Sequence, residues 1–288
     1  MNVTAVTVGY QIAMSERNIS LTQRLLTTAV IIPVGVLFIW LGTWFFVFFI
    51  IIILAIAGWE YWHIYQQAGY SPNAPVLFSA IIVLALTRHL YGFDGSDLIL
   101  SIAVLIAMAF HTISYELGRN TSSVDFGITL GGILYLGWLG SYLISLRDLP
   151  NGLWWIMLAI PTVGIVDAGA YSIGSRFGKN KMAPRVSPKK TWEGYLGGIL
   201  FGLIGGALLG MIWHLQAPEI TMINGLLLGA VLAVITPLGD LGESMLKRQF
   251  NIKDSSNLLP GHGGFMDRID SWLWAACISY YLITWFFL

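Results

Sequence analysis

The chain has 288 residues and a formal net charge of zero; 56% of its residues are hydrophobic and only 10% are charged. Soluble globular chains carry about 25% charged residues, so this composition excludes an ordinary soluble protein and indicates several membrane crossings. Zero net charge gives no reason to expect a nucleic-acid partner. The single cysteine, Cys277, excludes an intrachain disulfide and a cysteine-based zinc site.

Nine apolar stretches approach the length of about 20 residues that a membrane-spanning helix needs. In chain order they are Leu25–Leu41, Trp44–Tyr61, Ala74–Tyr91, Leu98–Leu117, Phe126–Leu146, Leu153–Gly174, Tyr195–Leu215, Met222–Leu238 and Ser271–Leu288. They predict an all-α, polytopic integral membrane protein with about nine transmembrane helices and one membrane domain. Within it we distinguish an N-terminal tail (1–24), N-terminal helices (25–152) and a C-terminal region that carries most polar residues (153–288).

Basic residues predict the orientation, because Lys and Arg collect in cytoplasmic loops. Segment 176–191 holds six basic residues and no acid. If this segment is inside the cell, the N-terminal tail and the polar loop after Leu238 are inside too. Among the basic residues near the spans, only Arg88 and Arg147 then fall outside. The polar C-terminal site is therefore predicted to face the cytoplasm.

Small residues four positions apart occur in several spans, at Gly127/Gly131, Gly198/Gly202 and Gly206/Gly210. Such pairs let helix backbones approach each other closely. We interpret them as contacts inside the domain rather than as a dimer seam.

Asp167 lies inside an apolar span, in the stretch VDAGAYSIG. A carboxylate in hydrocarbon costs several kcal/mol unless it faces a cavity or a partner, so an acid at this depth is a functional hypothesis. The alternative is a carboxylate that a neighbouring helix neutralises for packing alone. We favour a place for Asp167 in a substrate site.

The stretch SPKKTWEG combines the hydroxyls of Ser187 and Thr191 with the charges of Lys189 and Lys190. Together with the free backbone amides at a helix start, these groups form a candidate phosphate site. The sequence contains no G-x-x-x-x-G-K-[ST] motif, so this is not a Walker A loop. Simple membrane anchoring is the alternative, and it accounts well for the basic residues from Arg176 to Lys181.

Acidic residues cluster near the C-terminal spans. Asp240 ends the eighth predicted span, and Asp267 and Asp270 lie on one face of the helix that enters the ninth. Mg²⁺ takes one or two carboxylates together with substrate phosphates, so these three acids form a candidate metal site. The alternative to a metal site is that these acids only stabilise a helix N-terminus, where negative charge is favourable. Glu243, three residues after Asp240, is open to an ordinary i,i+4 pair with Lys247.

A metal site, phosphate-binding lysines and a membrane location together indicate phosphoryl or nucleotidyl transfer to a lipid. His262, in the Gly-His-Gly-Gly turn at 261–264, is a tempting general base. A lipid phosphate is already negative near neutral pH, because its second pKa is about 6. Such a nucleophile needs positioning more than deprotonation, so we favour His262 as a phosphate-binding or loop-shaping donor.

The segment Ser244–Asp270 resembles the signature of the phosphatidate cytidylyltransferase (CDP-diacylglycerol synthase) family. The matching positions are Ser244, Lys247, Arg248, Lys253, Asp254, His262, Gly263, Gly264, Asp267, Arg268 and Asp270. Phe265 departs mildly from the family pattern, which has an aliphatic residue there. The stretches DAGAYSIGSRFGK and SPKKTWEG are also similar to the family, so the resemblance covers about residues 167–271.

The resemblance implies a dimeric enzyme of a bacterial-type plasma membrane that joins CTP and phosphatidic acid into CDP-diacylglycerol and pyrophosphate. It implies Mg²⁺ on Asp240, Asp267 and Asp270, with K⁺ as a candidate second ion, and glycines that let the backbone approach phosphate. The implied catalytic residues are Asp240, Asp267, Lys253, His262 and Arg268. The implied substrate-binding residues are Asp167, Ser187, Lys189, Lys190, Thr191, Lys247, Arg248, Gly263 and Gly264.

Three alternatives stay open on the sequence. A CTP-dependent polyprenol or phytol kinase, or an ether-lipid cytidylyltransferase, would use a similar scaffold. A CDP-alcohol phosphatidyltransferase would need D-G-x2-A-R-x8-G-x3-D-x3-D, and DAGAYSIGSRFG does not fit that spacing. A transporter would show inverted repeats and broken helices in corresponding halves, and the polar residues here lie on one side only.

Overall fold

The computed structural model describes residues 21–259 and 263–288, and these residues are predominantly helical. The first half contains α1 (Leu21–Leu41), α2 (Thr43–Gln67), α3 (Ala74–Tyr91), α4 (Ser96–Glu116), α5 (Ser122–Gly132), a π-helical turn (Ile133–Trp138) and α6 (Tyr142–Arg147). The second half contains α7 (Gly152–Phe177), β1 (Lys181–Ala183), β2 (Ser187–Thr191), α8 (Trp192–His214), α9 (Met222–Ile235), α10 (Pro237–Gln249) and α11 (Met266–Phe286). Most of the predicted tail, residues 1–20, lies outside the described part.

Seven helical stretches among the described residues are long and apolar enough to cross a membrane. They are Thr43–Gln67, Ala74–Tyr91, Ser96–Glu116, Ser122–Arg147, Gly152–Phe177, Trp192–His214 and Met222–Gln249. These stretches confirm the all-α, polytopic integral membrane protein. The first of the nine predicted spans is the shorter apolar stretch Thr27–Leu41. The ninth corresponds to α11, which begins five residues earlier and ends two residues earlier than predicted.

The eighth predicted span differs from the structure at its C-terminal end. The apolar helix α9 ends at Ile235, but α10 begins at Pro237 and continues to Gln249. Proline is well tolerated at the first position of a helix, where its missing N–H is not needed. Asp240 therefore lies in the first turn of α10 and not at the end of a span.

Helices α7, α8 and α9 pack closely through glycines. A side chain at Gly206 would strike the carbonyl oxygen of Gly225, and one at Gly202 would lie 3.0 Å from that of Gly229. The glycine pairs of α8 therefore serve contacts inside the domain, as predicted. Gly127 differs, because a side chain built there meets nothing within 4 Å.

The apolar core lies between α2, α3, α6, α7 and α11, where Leu54, Leu84, Ile144, Trp155 and Leu273 are fully buried. Arg88 is also buried, with 2% of its surface exposed. Its guanidinium lies 3.6 Å from the ring centre of Phe93 and 4.7 Å from that of Trp138. These cation–π contacts keep its charge inside the protein. Arg88 therefore does not belong among the basic loop residues whose distribution predicts the orientation.

The basic segment between α7 and α8 forms an antiparallel hairpin of β1 and β2, in which Lys181 pairs with Thr191 and Ala183 with Ser187. Thr191 ends the hairpin and caps α8, because its hydroxyl oxygen accepts a hydrogen bond from the N–H of Gly194 at 3.2 Å. This cap orients the hairpin over the start of α8, beside α10.

Candidate active site

Three carboxylates meet where α10 packs against α11. Oxygens of Asp240, Glu243 and Asp270 lie within 4.8 Å of one another. Asp240 and Glu243 are three positions apart on one helix and therefore share a face. Gly239 permits the close approach of α11, because a side chain there would lie 2.9 Å from the Asp270 carbonyl oxygen. Only 1% of Glu243 and 6% of Asp270 are exposed.

This acidic cluster fits a metal ion by the chemistry of its donors. All three side chains offer oxygen, the ligand that hard cations such as Mg²⁺ prefer. Oε1 of Glu243 is buried and has no hydrogen-bond donor among the described residues. Burying several carboxylates together is costly unless cations or donors compensate their charge. The buried cluster can therefore hold a cation.

Lys247 connects this cluster to Asp267. Its Nζ lies 2.5 Å from Oε2 of Glu243, the i,i+4 pair that the sequence left open, and it also donates to Oδ1 of Asp267. The other oxygen of Asp267 accepts hydrogen bonds from Ser255 N at 2.9 Å and Gly264 N at 2.7 Å. Both oxygens of Asp267 are thus engaged by donors within the protein, and its role as a metal ligand stays a prediction.

Gly263 and Gly264, the last two residues of the turn, lie against carboxylates. Gly263 has a φ of 78°, which favours glycine. A side chain at Gly264 would strike the hydroxyl of Ser255 and a carboxylate oxygen of Glu60. The described contacts of these two glycines are thus with the protein itself, and their phosphate contact stays a prediction. His262 lies outside the described residues.

Glu60 of α2 is a site residue that we did not predict. It is fully buried and accepts hydrogen bonds from the backbone N–H groups of Phe265 and Met266 at 2.9 and 2.7 Å. The hydroxyls of Ser255 and Ser256 donate to it as well, at 3.0 and 2.5 Å. Glu60 thereby joins α2 to the start of α11. The usable signal was the one that selected Asp167: a single acid in an apolar helix.

The predicted phosphate-binding bases take three kinds of position. Lys190 reaches the acidic cluster, because its Nζ lies 2.7 Å from Oδ2 of Asp240. Arg248 joins the hairpin to the loop after α10, donating to the carbonyl oxygens of Val186 at 3.3 Å and Ile252 at 2.8 Å. Three exposed basic side chains form no hydrogen bond or ion pair with a described residue: Lys189, Lys253 and Arg268.

A polar cavity of about 170 Å³ connects these groups. Its lining residues are Asp167, Asp240, Glu243, Lys247, Asp254, Asp267, Arg268, Asp270 and Ser271. The structure thus brings together Asp167 and the three predicted metal ligands, with Lys247 and Arg268. Lys190 contacts this group through Asp240, whereas Ser187, Lys189, Thr191, Arg248, Lys253, Gly263 and Gly264 do not line the cavity.

The fold and the cavity define an integral membrane protein with a buried acidic site. The model of the cytidylyltransferase family matches residues 22–286. A phosphatidate cytidylyltransferase of Pseudomonas aeruginosa is 37% identical over 277 residues, 92% of this chain and 97% of the relative. The phosphatidate cytidylyltransferase of Synechocystis is 31% identical over 91% of this chain and 96% of that relative. The one from Bacillus subtilis is 37% identical over 68% of this chain and 73% of that relative. The chain belongs to the cytidylyltransferase family.

Proposed function

We propose that this chain transfers a cytidylyl group from CTP to phosphatidic acid, giving CDP-diacylglycerol and pyrophosphate in phospholipid biosynthesis. Family membership supports the proposal, as do relatives with this name that match more than nine tenths of the chain. The observation that carries it is the meeting of three carboxylates with Lys190 and Lys247 around one polar cavity. Such a site suits two phosphate-bearing substrates and a divalent cation.

The cation that we propose is Mg²⁺, and Asp240, Glu243 and Asp270 would hold it. When bound, it supplies positive charge to phosphate oxygens and to the leaving pyrophosphate. Asp267 holds Lys247, Ser255 and Gly264, and it is kept as a further candidate ligand. K⁺ is kept as the candidate second ion.

The reaction joins a phosphate oxygen of phosphatidic acid to the α-phosphorus of CTP and breaks the bond between that phosphorus and the oxygen leading to pyrophosphate. The attacking phosphate is anionic near neutral pH, so no residue has to remove a proton from it. The chain's own residues act by orienting two polyanions and by compensating their charge. Lys190 and Lys247 serve this purpose from two sides of the acidic cluster.

The remaining bases would bind phosphate at the rim. The guanidinium of Arg268 suits phosphate, because its planar donors match two phosphate oxygens at once. Ser187, Lys189, Arg248 and Lys253 are assigned to the nucleotide side. Thr191 caps α8 and so holds Lys190 in place, Asp167 lines the polar cavity, and His262, Gly263 and Gly264 are assigned to the turn.

We further propose that the site opens to the cytoplasm, where CTP is dissolved. Support comes from the six basic residues of segment 176–191, because such residues collect on the cytoplasmic side. The lipid would then enter sideways from the inner leaflet of a bacterial-type plasma membrane. The homodimer stays a prediction.

Detergent-purified protein tests this function directly. We expect pyrophosphate release from CTP only when phosphatidic acid and Mg²⁺ are both present, together with formation of CDP-diacylglycerol. A lipid kinase would instead release CDP, and a transporter would release neither product. Full turnover in excess EDTA would overturn the metal site while leaving the transferase activity in place.

A further inference from the structure

A second cavity, which we call the apolar cavity, lies between α1, α2, α7 and α11. Its volume is about 230 Å³, and its walls include Gly35, Phe46, Ile53, Ile160 and Trp272. Among the described residues that line it, only Arg268 is charged. Apolar surface is common on membrane helices, but a concave apolar wall that ends on a cation is a specific feature.

Arg268 joins the two cavities, because it lines both the apolar cavity and the polar cavity. Its guanidinium has no hydrogen-bond or ion-pair partner in the part of the chain that the structure describes. A ligand that spans the two cavities therefore needs an anionic group for Arg268 and an apolar chain beside it. Phosphate suits the guanidinium in particular, because its oxygens accept two parallel hydrogen bonds.

The dimensions of the apolar cavity favour part of one hydrocarbon chain. Its wall on α2 extends from Phe46 to Ile53, which is about 10 Å at 1.5 Å per helical residue. Pockets for whole small ligands have about 300–1,000 Å³, so about 230 Å³ is too little for an entire lipid. The cavity runs along the helices, the direction in which a lipid chain lies in a bilayer.

We infer that the apolar cavity holds part of one acyl chain of phosphatidic acid while the lipid's phosphate binds Arg268, an inference that rests on the proposed function. The acyl chain gains little affinity there, because bilayer lipid is as apolar as the cavity wall. The cavity instead aligns the lipid, so that its phosphate meets CTP in the polar cavity. Misalignment by about 1 Å can cost a reaction about a hundredfold.

Gly35 offers a position on α1 from which the cavity can be filled. A Cβ built on Gly35 meets nothing within 4 Å, and Gly35 lines the cavity, so we expect the leucine of Gly35→Leu to occupy space that the acyl chain needs. Gly127 on α5 is the matched control, because it is equally unobstructed and does not line the cavity. Both substitutions raise helix propensity by the same amount.

The experiment compares kcat/KM for dioleoyl and dihexanoyl phosphatidic acid in mixed micelles. We expect Gly35→Leu to lower kcat/KM for the dioleoyl lipid about tenfold more than for the dihexanoyl lipid. Gly127→Leu should keep the wild-type ratio of kcat/KM for the dioleoyl lipid to kcat/KM for the dihexanoyl lipid. Equal ratios in both variants, with an active wild type, would overturn this inference alone, whereas an inactive wild type would overturn the proposed function.

A second measurement uses the wild type and does not depend on the folding of a variant. Phosphatidic acid with a diazirine in mid-chain should label peptides that contain Gly35 or Trp272. Unlabelled phosphatidic acid should compete, and phosphatidylcholine should not. Labelling elsewhere, or equal competition by phosphatidylcholine, would mean that the cavity holds ordinary bilayer lipid and would overturn the inference.

Discussion

Oε2 of Glu60 accepts a hydrogen bond of 2.7 Å from the backbone N–H of Met266, although 206 positions separate the two residues. The first N–H groups of a helix have no partner inside the helix. Glu60 satisfies two of them, on Phe265 and Met266, at the start of α11. The position of Asp267 and Asp270 in the first turns of that helix thus depends on a carboxylate from α2.

Glu60→Gln should lower kcat at least about tenfold and raise the Mg²⁺ concentration for half-maximal activity. Glutamine presents an NH₂ donor where Glu60 now accepts, and each orphaned buried N–H costs about 1–3 kcal/mol. The start of α11 would shift, and the acidic cluster with it. The measurements are initial rates in a Mg²⁺ titration, with Glu116→Gln, at an exposed helix end, as control. An unchanged Mg²⁺ requirement in folded Glu60→Gln would contradict this positioning role.

The acidic cluster should decide the metal requirement. Asp240→Asn, Glu243→Gln and Asp270→Asn each replace a charged oxygen that a hard cation needs. We expect each to raise the Mg²⁺ concentration for half-maximal activity by about 10–100-fold. Asp94→Asn, at an exposed turn between α3 and α4, is the control. Titration curves that coincide with that of the wild type would remove the residue concerned from the site.

Asp267→Asn should abolish most activity and also lower stability. The sequence alone predicts almost no change in stability, because asparagine caps a helix about as well as aspartate. In the structure, however, Asp267 pairs with buried Lys247, so its loss should cost about 1–3 kcal/mol. The check is a melting curve in detergent, against Asp97→Asn in the first turn of α4. Equal melting temperatures for Asp267→Asn and the wild type would indicate that Asp267 only stabilises the helix end.

Lys190→Ala should weaken turnover much more than Lys179→Ala. The Nζ of Lys190 lies 2.7 Å from Asp240. Lys179 is exposed, and among the described residues it is bonded only through its backbone N–H, to Glu193. A lost charged hydrogen bond of about 1.5–3 kcal/mol corresponds to about 10–100-fold in rate. The comparison is kcat/KM for CTP. Equal, small effects from both would indicate that the whole hairpin serves as a membrane anchor.

A cysteine at position 257 tests the orientation. Asn257 is exposed, and the single native cysteine, Cys277, is first replaced by alanine. We expect an impermeant thiol reagent to label Asn257→Cys in inside-out vesicles and not in intact cells, because the proposed function places the polar site on the cytoplasmic side. Labelling of intact cells would reverse the orientation of every span.

Much of the fold could be predicted because it depends on local composition. A run of about 20 apolar residues can satisfy its backbone in hydrocarbon only as a helix, and this rule located the spans within a few residues. It did not predict the helix from Pro237 to Gln249, because polar residues end an apolar run without ending a helix. The sequence did not predict the hairpin between α7 and α8 either, because its basic residues are typical of a loop.

By itself, the sequence determined the all-α membrane fold, the concentration of polar residues in the C-terminal region, and the pairing of acids on one helical face, such as Asp240 with Glu243. These are properties of residues close together in the chain. Tertiary structure alone decided that Glu60 holds the start of α11, that Lys190 meets Asp240, and that donors surround Asp267. Such contacts depend on which helices pack together and at what height, and no local periodicity encodes that arrangement.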